Sequence, residues 1–133
     1  MTALRRALAA LTLLAAGSAA AAQAPLTYAR EDYSFRYPPR LVVYQDYVYA
    51  DASVPGSKHV VVLRHRDAQA GDLRSIEINM LRSLRARRAC ADYASCRLVD
   101  GVTIGTDSED PEMRAALDVI AGSFRRASAS AAP

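Results

Sequence analysis

The sequence predicts an α+β fold, in which an antiparallel sheet of about five strands carries a C-terminal helix packed on one face. Three observations lead to this prediction. Aromatic rings occur at every second residue of Tyr33–Tyr37, which is the period of a strand with one buried face. The consecutive valines of Val60–Val62 favour a strand, because β-branched side chains pack well on a pleated surface. After Pro111, apolar residues recur at helical spacing.

Residues 1–22 are predicted to be a cleavable secretory signal. Arg5 and Arg6 form a positive start, an apolar core follows over Leu8–Ala16, and small residues with AxA cleavage choices close the segment. The apolar core is too short to span a bilayer comfortably, and no cysteine follows it for lipid attachment. We therefore expect a periplasmic or secreted protein that has no membrane span in its mature form.

The mature chain is predicted to be a single α+β domain, residues 23–126, followed by a disordered tail at 127–133. The signal contains two of the 17 Lys and Arg residues, which are opposed by 14 Asp and Glu residues. Its removal lowers the formal net charge from +3 to +1. The basic charge of the precursor therefore gives no reason to expect a nucleic-acid partner.

The strand predicted over Leu41–Ala50 is expected to lie in the middle of the sheet. A first strand region, Tyr28–Tyr37, precedes it, and a proline pair between them lacks backbone donors and interrupts pairing. Both alternating sets of side chains in Leu41–Ala50 are mostly apolar or aromatic, which predicts burial on much of both faces. Gln45 and Asp46 are the polar exceptions, and we expect them near a rim or paired.

Three further strands are predicted, at Lys58–Arg66, Leu73–Leu81 and Leu98–Thr106. Leu73–Leu81 alternates apolar and polar residues, which indicates one face in water. Within Leu98–Thr106, Gly101 and Gly105 are predicted to lie at bulges or bends.

The C-terminal helix has the clearest start signal in the chain. Asp110 can cap the helix, and Pro111 suits the first helical position because its missing N–H would have no partner there. The predicted apolar stripe consists of Met113, Leu117, Ile120 and Phe124. We expect this stripe to pack on the sheet.

Cys90 and Cys96 are the only cysteines, and an exported pair is expected to form an intramolecular disulfide. In one continuous helix their side chains would lie about 9 Å apart along the axis, beyond the reach of a disulfide. The chain must therefore turn between them. The surrounding segment, Ser83–Arg97, could be a short helix or an irregular loop.

Two groups of side chains are candidates for binding. Guanidinium groups before Cys90 could bind phosphate or carboxylate groups, or form a solvated basic loop balanced by nearby acids. Those arginines are Arg82, Arg85, Arg87 and Arg88. Tyrosines could line a cleft or partner surface, or pack in the core with hydroxyls at the sheet edge. Those tyrosines are Tyr44, Tyr47, Tyr49 and Tyr93.

The sequence contains no pattern that predicts catalysis, a metal site or a cofactor. His59 and His65 belong to one predicted strand and would lie about 20 Å apart when it is extended, too far for one metal site. We expect them to be ordinary surface or edge histidines. No GxSxG, HExxH or phosphate-binding glycine loop occurs.

The two ends of the mature chain are similar to the PsbP and Mog1-like superfamily. The likeness lies in YSFRYP at 33–38, in the short strands after it, and in the closing DPEMRAALDVIAGSFRR at 110–126. It implies a small sheet-and-helix domain, of a kind often exported in bacteria, that acts as a binding or accessory protein. The chain departs from the pattern because it is short, lacks a tryptophan after the YP turn and has a cysteine pair, so no family binding residue is transferred.

We expect a small exported, non-enzymatic protein that binds another protein or a component of the cell envelope. The alternative is a small periplasmic hydrolase-like enzyme whose site has no recognisable motif. A cleft with a titratable pair and an orienting hydrogen bond would favour the enzyme, whereas an exposed apolar or aromatic patch would favour binding.

Overall fold

The computed structural model describes residues 23–48, 59–80 and 88–126. The strands are β1 (Leu26–Ala29), β2 (Tyr33–Tyr37), β3 (Leu41–Val48), β4 (His59–His65), β5 (Ser75–Asn79), β6 (Ser95–Val99), β7 (Val102–Thr106) and β8 (Arg125–Arg126), and the helix α1 spans Pro111–Ser123. The predicted signal at 1–22 and the predicted tail at 127–133 lie outside the described residues, as do Tyr49, Arg82, Arg85 and Arg87.

Two antiparallel sheets and one helix form an α+β fold, which confirms the predicted class. The larger sheet has five strands in the order β3-β4-β5-β7-β6, and the smaller has three in the order β1-β2-β8. Helix α1 packs against β5, β6 and β7 and also against β2. The second sheet was not predicted. It arises because the proline pair at 38–39 separates β2 from β3, which then join different sheets.

The core lies between α1, β2 and one face of the five-stranded sheet, here called the inner face. Registers place Leu63 of β4 opposite Ile76 of β5, and Ile78 of β5 opposite Ile104 of β7, so these side chains share that face. All four are fully buried. The predicted alternation of β5 is thus confirmed on its apolar side. The prediction that its polar face lies in water is wrong, since Asn79 is only 5% exposed and Glu77 is half-buried.

The aromatic side of β2 closes the core from the smaller sheet. Tyr33 and Phe35 are buried, and their rings lie 6.5 Å apart and nearly parallel. Phe124 stacks on both, at 6.1 Å from Tyr33 and 6.5 Å from Phe35. The rings therefore share one face, as the two-residue period predicts. Ser123, at the end of α1, accepts a hydrogen bond from the backbone N–H of Arg36 (2.8 Å) and ties the helix to β2.

The prediction that β3 is a central strand buried on both sides is wrong. Among the described strands β3 lies at the edge of the larger sheet, and every residue from Val43 to Val48 is exposed, although the Asp46 side chain itself is only 20% exposed. The apolar residues on both faces of β3 led to the wrong prediction, because such a pattern shows which side chains could be buried. Whether they are buried depends on other strands and helices that pack against them, and the pattern does not record those.

A bulge in β3 reverses the direction of its side chains. Val43 pairs with Leu63, but Gln45 pairs with Val62, so Tyr44 is the extra residue. After the bulge, Asp46 is opposite Val61 on the inner face. Without the extra residue, Asp46 would point to the outer face.

The segment predicted as one strand over Leu98–Thr106 is a hairpin. Asp100 (φ 48°) and Gly101 (φ 77°) connect β6 to β7, with Val99 opposite Val102. Two consecutive residues with positive φ are typical of a type I′ turn, for which Asp-Gly is a favoured pair. Gly101 therefore ends a strand and does not bend a continuous one.

Gly105 provides room for an aromatic ring on the outer face of the sheet. A Cβ on Gly105 would lie 2.6 Å from Cγ and Cδ1 of Tyr93, so no larger residue fits without movement. The Tyr93 hydroxyl donates to Glu77 of β5 at 2.7 Å. Cys90 and Cys96 lie at disulfide distance, with their Cα atoms 5.4 Å apart, and the chain turns between them as predicted. The cysteine segment thus covers the outer face through Tyr93.

Helix α1 begins where the sequence predicts. The Asp110 carboxylate accepts from the backbone N–H of Glu112 (2.9 Å), and Pro111 occupies the first turn. Met113, Leu117, Ile120 and Phe124 are all buried, which confirms the predicted stripe. No helix in the described ranges is long and apolar enough to cross a membrane.

We predict that Gly105→Ala destabilises the protein by roughly 1–3 kcal/mol, because the methyl group overpacks against the Tyr93 ring. In a Tyr93→Ala background the same substitution should cost much less, since the ring is gone. Urea unfolding of the two single variants, the double variant and the wild type measures this coupling.

Gly122→Ala is the matched control, because a Cβ at Gly122 in α1 meets nothing within 4 Å. It should leave the stability unchanged or raise it by about 0.5–1 kcal/mol. Equal costs of Gly105→Ala with and without the Tyr93 ring would contradict the packing explanation.

Candidate functional site

A cluster of polar side chains joins the two sheets, and we call it the inter-sheet cluster. Its members are Tyr28, Arg30 and Tyr33 from the β1–β2 hairpin, Asp46 from β3 and His59 from β4. The bulge at Tyr44 is what turns Asp46 toward this cluster.

His59 lies at the centre of the inter-sheet cluster and is 8% exposed. Its Nδ1 lies 2.6 Å from the hydroxyl of Tyr33, and its Nε2 contacts Oδ1 of Asp46. A neutral ring with its proton on Nε2 satisfies both contacts, because it donates to the carboxylate and accepts from the tyrosine. The prediction that His59 is an ordinary surface or edge histidine is wrong.

Asp46 receives three hydrogen bonds from the inter-sheet cluster. Oδ2 accepts from the Tyr28 hydroxyl and from Nη2 of Arg30, while Oδ1 contacts His59. Burial by itself would raise the pKa of this carboxyl, but the hydrogen bonds from Tyr28, Arg30 and His59 favour its ionised form and hold the pKa at about 2. The expectation that Asp46 is paired is confirmed.

Tyr28 and Tyr33 are held as neutral donors. Burial raises the pKa of both phenols, and the bond from Tyr28 to the Asp46 carboxylate raises that of Tyr28 further. A hydrogen-bonded line from carboxylate to imidazole to phenol is thus fully satisfied inside the protein. We call this line the polar clamp, because its hydrogen bonds join the two sheets and each of its three groups has a partner within it.

A cleft of about 580 Å³ opens at the other end of β4. Its lining residues are Gln23, Pro39, Arg40, His65, Arg66, Asp67, Arg74 and Glu112. The strand ends bring two of these arginines together, since the backbone N–H of Arg66 donates to the carbonyl of Arg40 at 2.8 Å. We refer to this feature as the β4 cleft.

His65 forms the base of the β4 cleft and is 6% exposed, so the surface prediction is wrong for this histidine too. Its Nδ1 accepts from the backbone N–H of Asp67 at 3.1 Å, which places the ring proton on Nε2. That Nε2 lies 3.4 Å from Oε1 of Glu112, the oxygen that also accepts from Nη1 of Arg40 at 2.8 Å. The hydrogen bond from Arg40, aided by His65, lowers the pKa of Glu112.

Arg74 lies just before β5, and its guanidinium is engaged by Asp72 in the same loop. Its guanidinium makes hydrogen bonds of 2.7–3.1 Å to both carboxylate oxygens of Asp72. Those bonds hold the pKa of Asp72 at about 2. All three guanidinium nitrogens of Arg74 are therefore engaged, by Asp72, His65 and the carbonyl of Asp67. Arg40, which is paired with Glu112, and Arg66 each use one nitrogen.

Of the predicted arginines, the structure describes Arg88. Its guanidinium makes two 2.7 Å hydrogen bonds to the Asp107 carboxylate and lies 4.2 Å from the centre of the Tyr93 ring. The Arg88 pair lowers the pKa of Asp107. A ligand that binds Arg88 must therefore compete with Asp107.

Three of the predicted tyrosines are described, and Tyr93 lies apart from Tyr44 and Tyr47 on the outer face of the larger sheet. Tyr44 and Tyr47 are exposed on the edge strand β3, and the guanidinium of Arg64 lies 5.0 Å from the centre of the Tyr44 ring. Tyr93 is buried over Gly105 of β7, with β4 and β5 between. Two strands therefore separate Tyr93 from the two tyrosines on β3.

The two histidines belong to separate sites, as their spacing predicts. Within the described part of the chain, no group of three or more His, Cys, Asp or Glu side chains could hold a metal ion. Sequence reasoning missed Tyr33 as a partner of His59 and Glu112 as a neighbour of His65, because 26 and 47 residues separate them. The one usable signal was the polar Asp46 in an apolar run.

Comparison of the chain with protein-family models, with curated proteins and with solved structures finds no match. The resemblance to the PsbP and Mog1-like superfamily therefore stays a prediction.

We predict that Tyr33→Phe destabilises the protein by roughly 1–3 kcal/mol, because it leaves the buried Nδ1 of His59 without a donor. Tyr37→Phe is the matched control, since Tyr37 follows on the same face of β2 and its hydroxyl has no hydrogen-bond partner among the described residues. Its cost should stay within about 0.5 kcal/mol. Chemical denaturation measures both, and equal costs would contradict the clamp.

We predict that Asp46 contributes to acid sensitivity. Its folded pKa of about 2 lies below the value of about 3.9 in an unfolded chain, so ionisation stabilises the folded state. That contribution is complete above about pH 5 and is lost as the pH falls toward about 2. Wild type and Asp46→Asn should therefore differ most in unfolding free energy near neutral pH and converge in acid.

Denaturant titrations at several pH values measure this convergence. Asp72, Asp107 and Glu112 also have lowered pKa values, but both proteins retain them, so their contributions cancel in the difference between the two curves. That difference reports Asp46 together with the groups that contact its carboxylate. A constant difference from pH 7 to pH 2 would refute the assignment.

Proposed function

We propose that this protein is an exported, non-enzymatic binding protein that holds an extended segment of a partner protein in the cell envelope along β3. The observation that carries the proposal is the exposed apolar surface of this edge strand. Export is supported by the predicted signal and by the cysteine pair at disulfide distance, since such pairs persist in oxidising compartments.

Exposed apolar side chains are concentrated on β3. Of the eight large apolar residues that are exposed in the described ranges, four lie on this one strand. They are Val43 (37%), Tyr44 (56%), Tyr47 (39%) and Val48 (66%). Aromatic and apolar residues grouped in this way are typical of protein interfaces.

The position of β3 suits the addition of a strand. It is the first strand of the larger sheet, so a partner segment can extend the sheet through backbone hydrogen bonds. Side chains of such a segment alternate between faces, and exposed residues of β3 lie on both: Val43 and Val48 on the inner face, Tyr44 on the outer. Backbone pairing would provide affinity, and these side chains would provide specificity.

The hydrolase alternative has less support from the geometry. Such an enzyme needs a histidine that can exchange a proton with a nucleophile. His59 contacts Tyr33 and Asp46, and His65 accepts from the Asp67 backbone while facing Glu112. The pair of His65 and Glu112 in the β4 cleft, with the imidazole oriented by the Asp67 N–H, is an arrangement that an enzyme could use. The described residues that line this cleft include no serine, threonine or cysteine to act as the nucleophile, so binding along β3 stays the first hypothesis.

We predict that Tyr44→Lys and Val48→Lys each weaken partner capture by about tenfold or more, because an interface residue of this kind can contribute more than 1 kcal/mol and an edge lysine opposes strand addition. Tagged protein is incubated with envelope extract, and the captured proteins are quantified by isotope-labelled mass spectrometry.

Leu98→Lys is the matched control. Leu98 is 63% exposed and lies on β6, at the opposite edge of the same sheet. A specific partner should be recovered with wild type and Leu98→Lys but not with either β3 variant, provided that all four proteins melt alike. Equal recovery by all four would contradict the proposal. Self-association that the β3 variants abolish would identify a second copy of the chain as the occupant instead.

A further inference from the structure

We propose that the β4 cleft is a binding site for a free short peptide, which it recognises by the charges at both peptide ends. Arg66 and Arg40 would receive the terminal carboxylate, and Asp67 and Glu112 would receive the terminal ammonium group. This inference is independent of the β3 surface, because the cleft lies at the opposite end of β4 from Val48.

The cationic half of the site has unused hydrogen-bond donors. Arg40 donates only from Nη1, to Glu112, and Arg66 donates only from Nη2, to the carbonyl of Pro39 at 3.0 Å. The other guanidinium nitrogens of both residues have no partner in the described part of the chain. The two guanidinium groups extend from neighbouring strand ends that share a backbone hydrogen bond. A planar carboxylate can accept from the unused nitrogens of a guanidinium group in this cleft.

The anionic half lies in the same cleft. No hydrogen bond or ion pair from the described residues engages the Asp67 carboxylate, while its backbone N–H is bound to His65. Glu112 uses Oε1 for Arg40 and His65 and keeps Oε2 available. Its lowered pKa ensures that the carboxylate is ionised at neutral pH. An ammonium group would find two acceptors here.

The mixture of charges selects the class of ligand. A purely anionic ligand such as phosphate would meet Asp67 and Glu112 as well as the arginines, and like charges disfavour it. A zwitterion complements both halves. Among the described lining residues only Pro39 is apolar, so the cleft suits a polar ligand.

The size of the cleft favours a peptide over a single ion. Its volume of about 580 Å³ lies within the range of about 300–1,000 Å³ that is typical of small-molecule sites. A water molecule occupies only about 30 Å³ of liquid, so one inorganic ion would leave most of the cleft empty. A peptide of a few residues fits this volume, and its two ends can lie on Arg66 and Asp67, whose side chains no hydrogen bond or ion pair joins.

Trialanine is the probe, because it has both charged ends and no charged side chain. Isothermal titration calorimetry on protein expressed from the full-length sequence compares trialanine with its C-terminal amide, its N-acetyl derivative and inorganic phosphate. We expect saturable binding of trialanine, and a loss of about tenfold to a hundredfold on capping either end, since a hydrogen bond to a charged group has that value.

Two substitutions test which residue of the cleft binds which end of the peptide. Arg66→Gln should weaken trialanine by a similar factor but leave the affinity of the amide unchanged, because the amide has already lost that interaction. Asp67→Asn should weaken trialanine but not the N-acetyl peptide. The charge-matched controls Arg36→Gln and Glu31→Gln alter exposed residues outside the cleft, and they should leave all affinities unchanged.

Several results would overturn the proposal. They are an absence of saturable trialanine binding, equal affinity for trialanine and either capped form, and phosphate binding as tight as trialanine. An equal effect of Arg66→Gln on trialanine and on its amide would also overturn it, since Arg66 would then shape the cleft without receiving the carboxylate.

Discussion

The hydrogen-bonded line from Tyr33 through His59 to Asp46 is the constraint on which the arrangement of the two sheets depends. The smaller sheet supplies the phenol, and the larger sheet supplies the imidazole and the carboxylate. A buried polar group without a partner is costly, so neither sheet can shift without breaking this line. The bulge at Tyr44 is required for this line, because it turns the Asp46 side chain to the inner face of the larger sheet. The apolar rings of β2 and Phe124 then pack beside it.

Strand β4 has a buried histidine at each end, and each histidine ties the strand to a different element. His59 connects it to the β1–β2 hairpin, while His65 connects it to the start of α1 through Glu112. Between them, Val61 and Leu63 are fully buried in the core. Polar contacts at the ends set the position of the strand, and apolar contacts in the middle provide the driving force. The two histidines therefore fix the position of β4 between the β1–β2 hairpin and α1.

The surfaces left for function follow from this interior. Because Asp46 is turned inward, the outer side of β3 presents Tyr44, and the edge of the sheet is lined by side chains that the core does not use. At the other end of β4, Arg40, Arg66 and Asp67 extend beyond the last core layer around His65. Both surfaces are by-products of how the strands end, and they differ in chemistry: one is apolar and aromatic, the other charged with both signs.

Local chemistry made much of the fold predictable. The Asp110 cap, Pro111 and the apolar stripe of α1 depend on residues within a few positions of one another, as does the turn between Cys90 and Cys96. The shared face of the alternating rings in β2 could also be predicted, from their two-residue spacing. The neighbours of β3, the pairing of Tyr33 with His59 and the contact of His65 with Glu112 were decided only by tertiary structure. Those contacts join residues far apart in the chain, and a sequence pattern records the period of a strand but not which strand or side chain comes to lie against it.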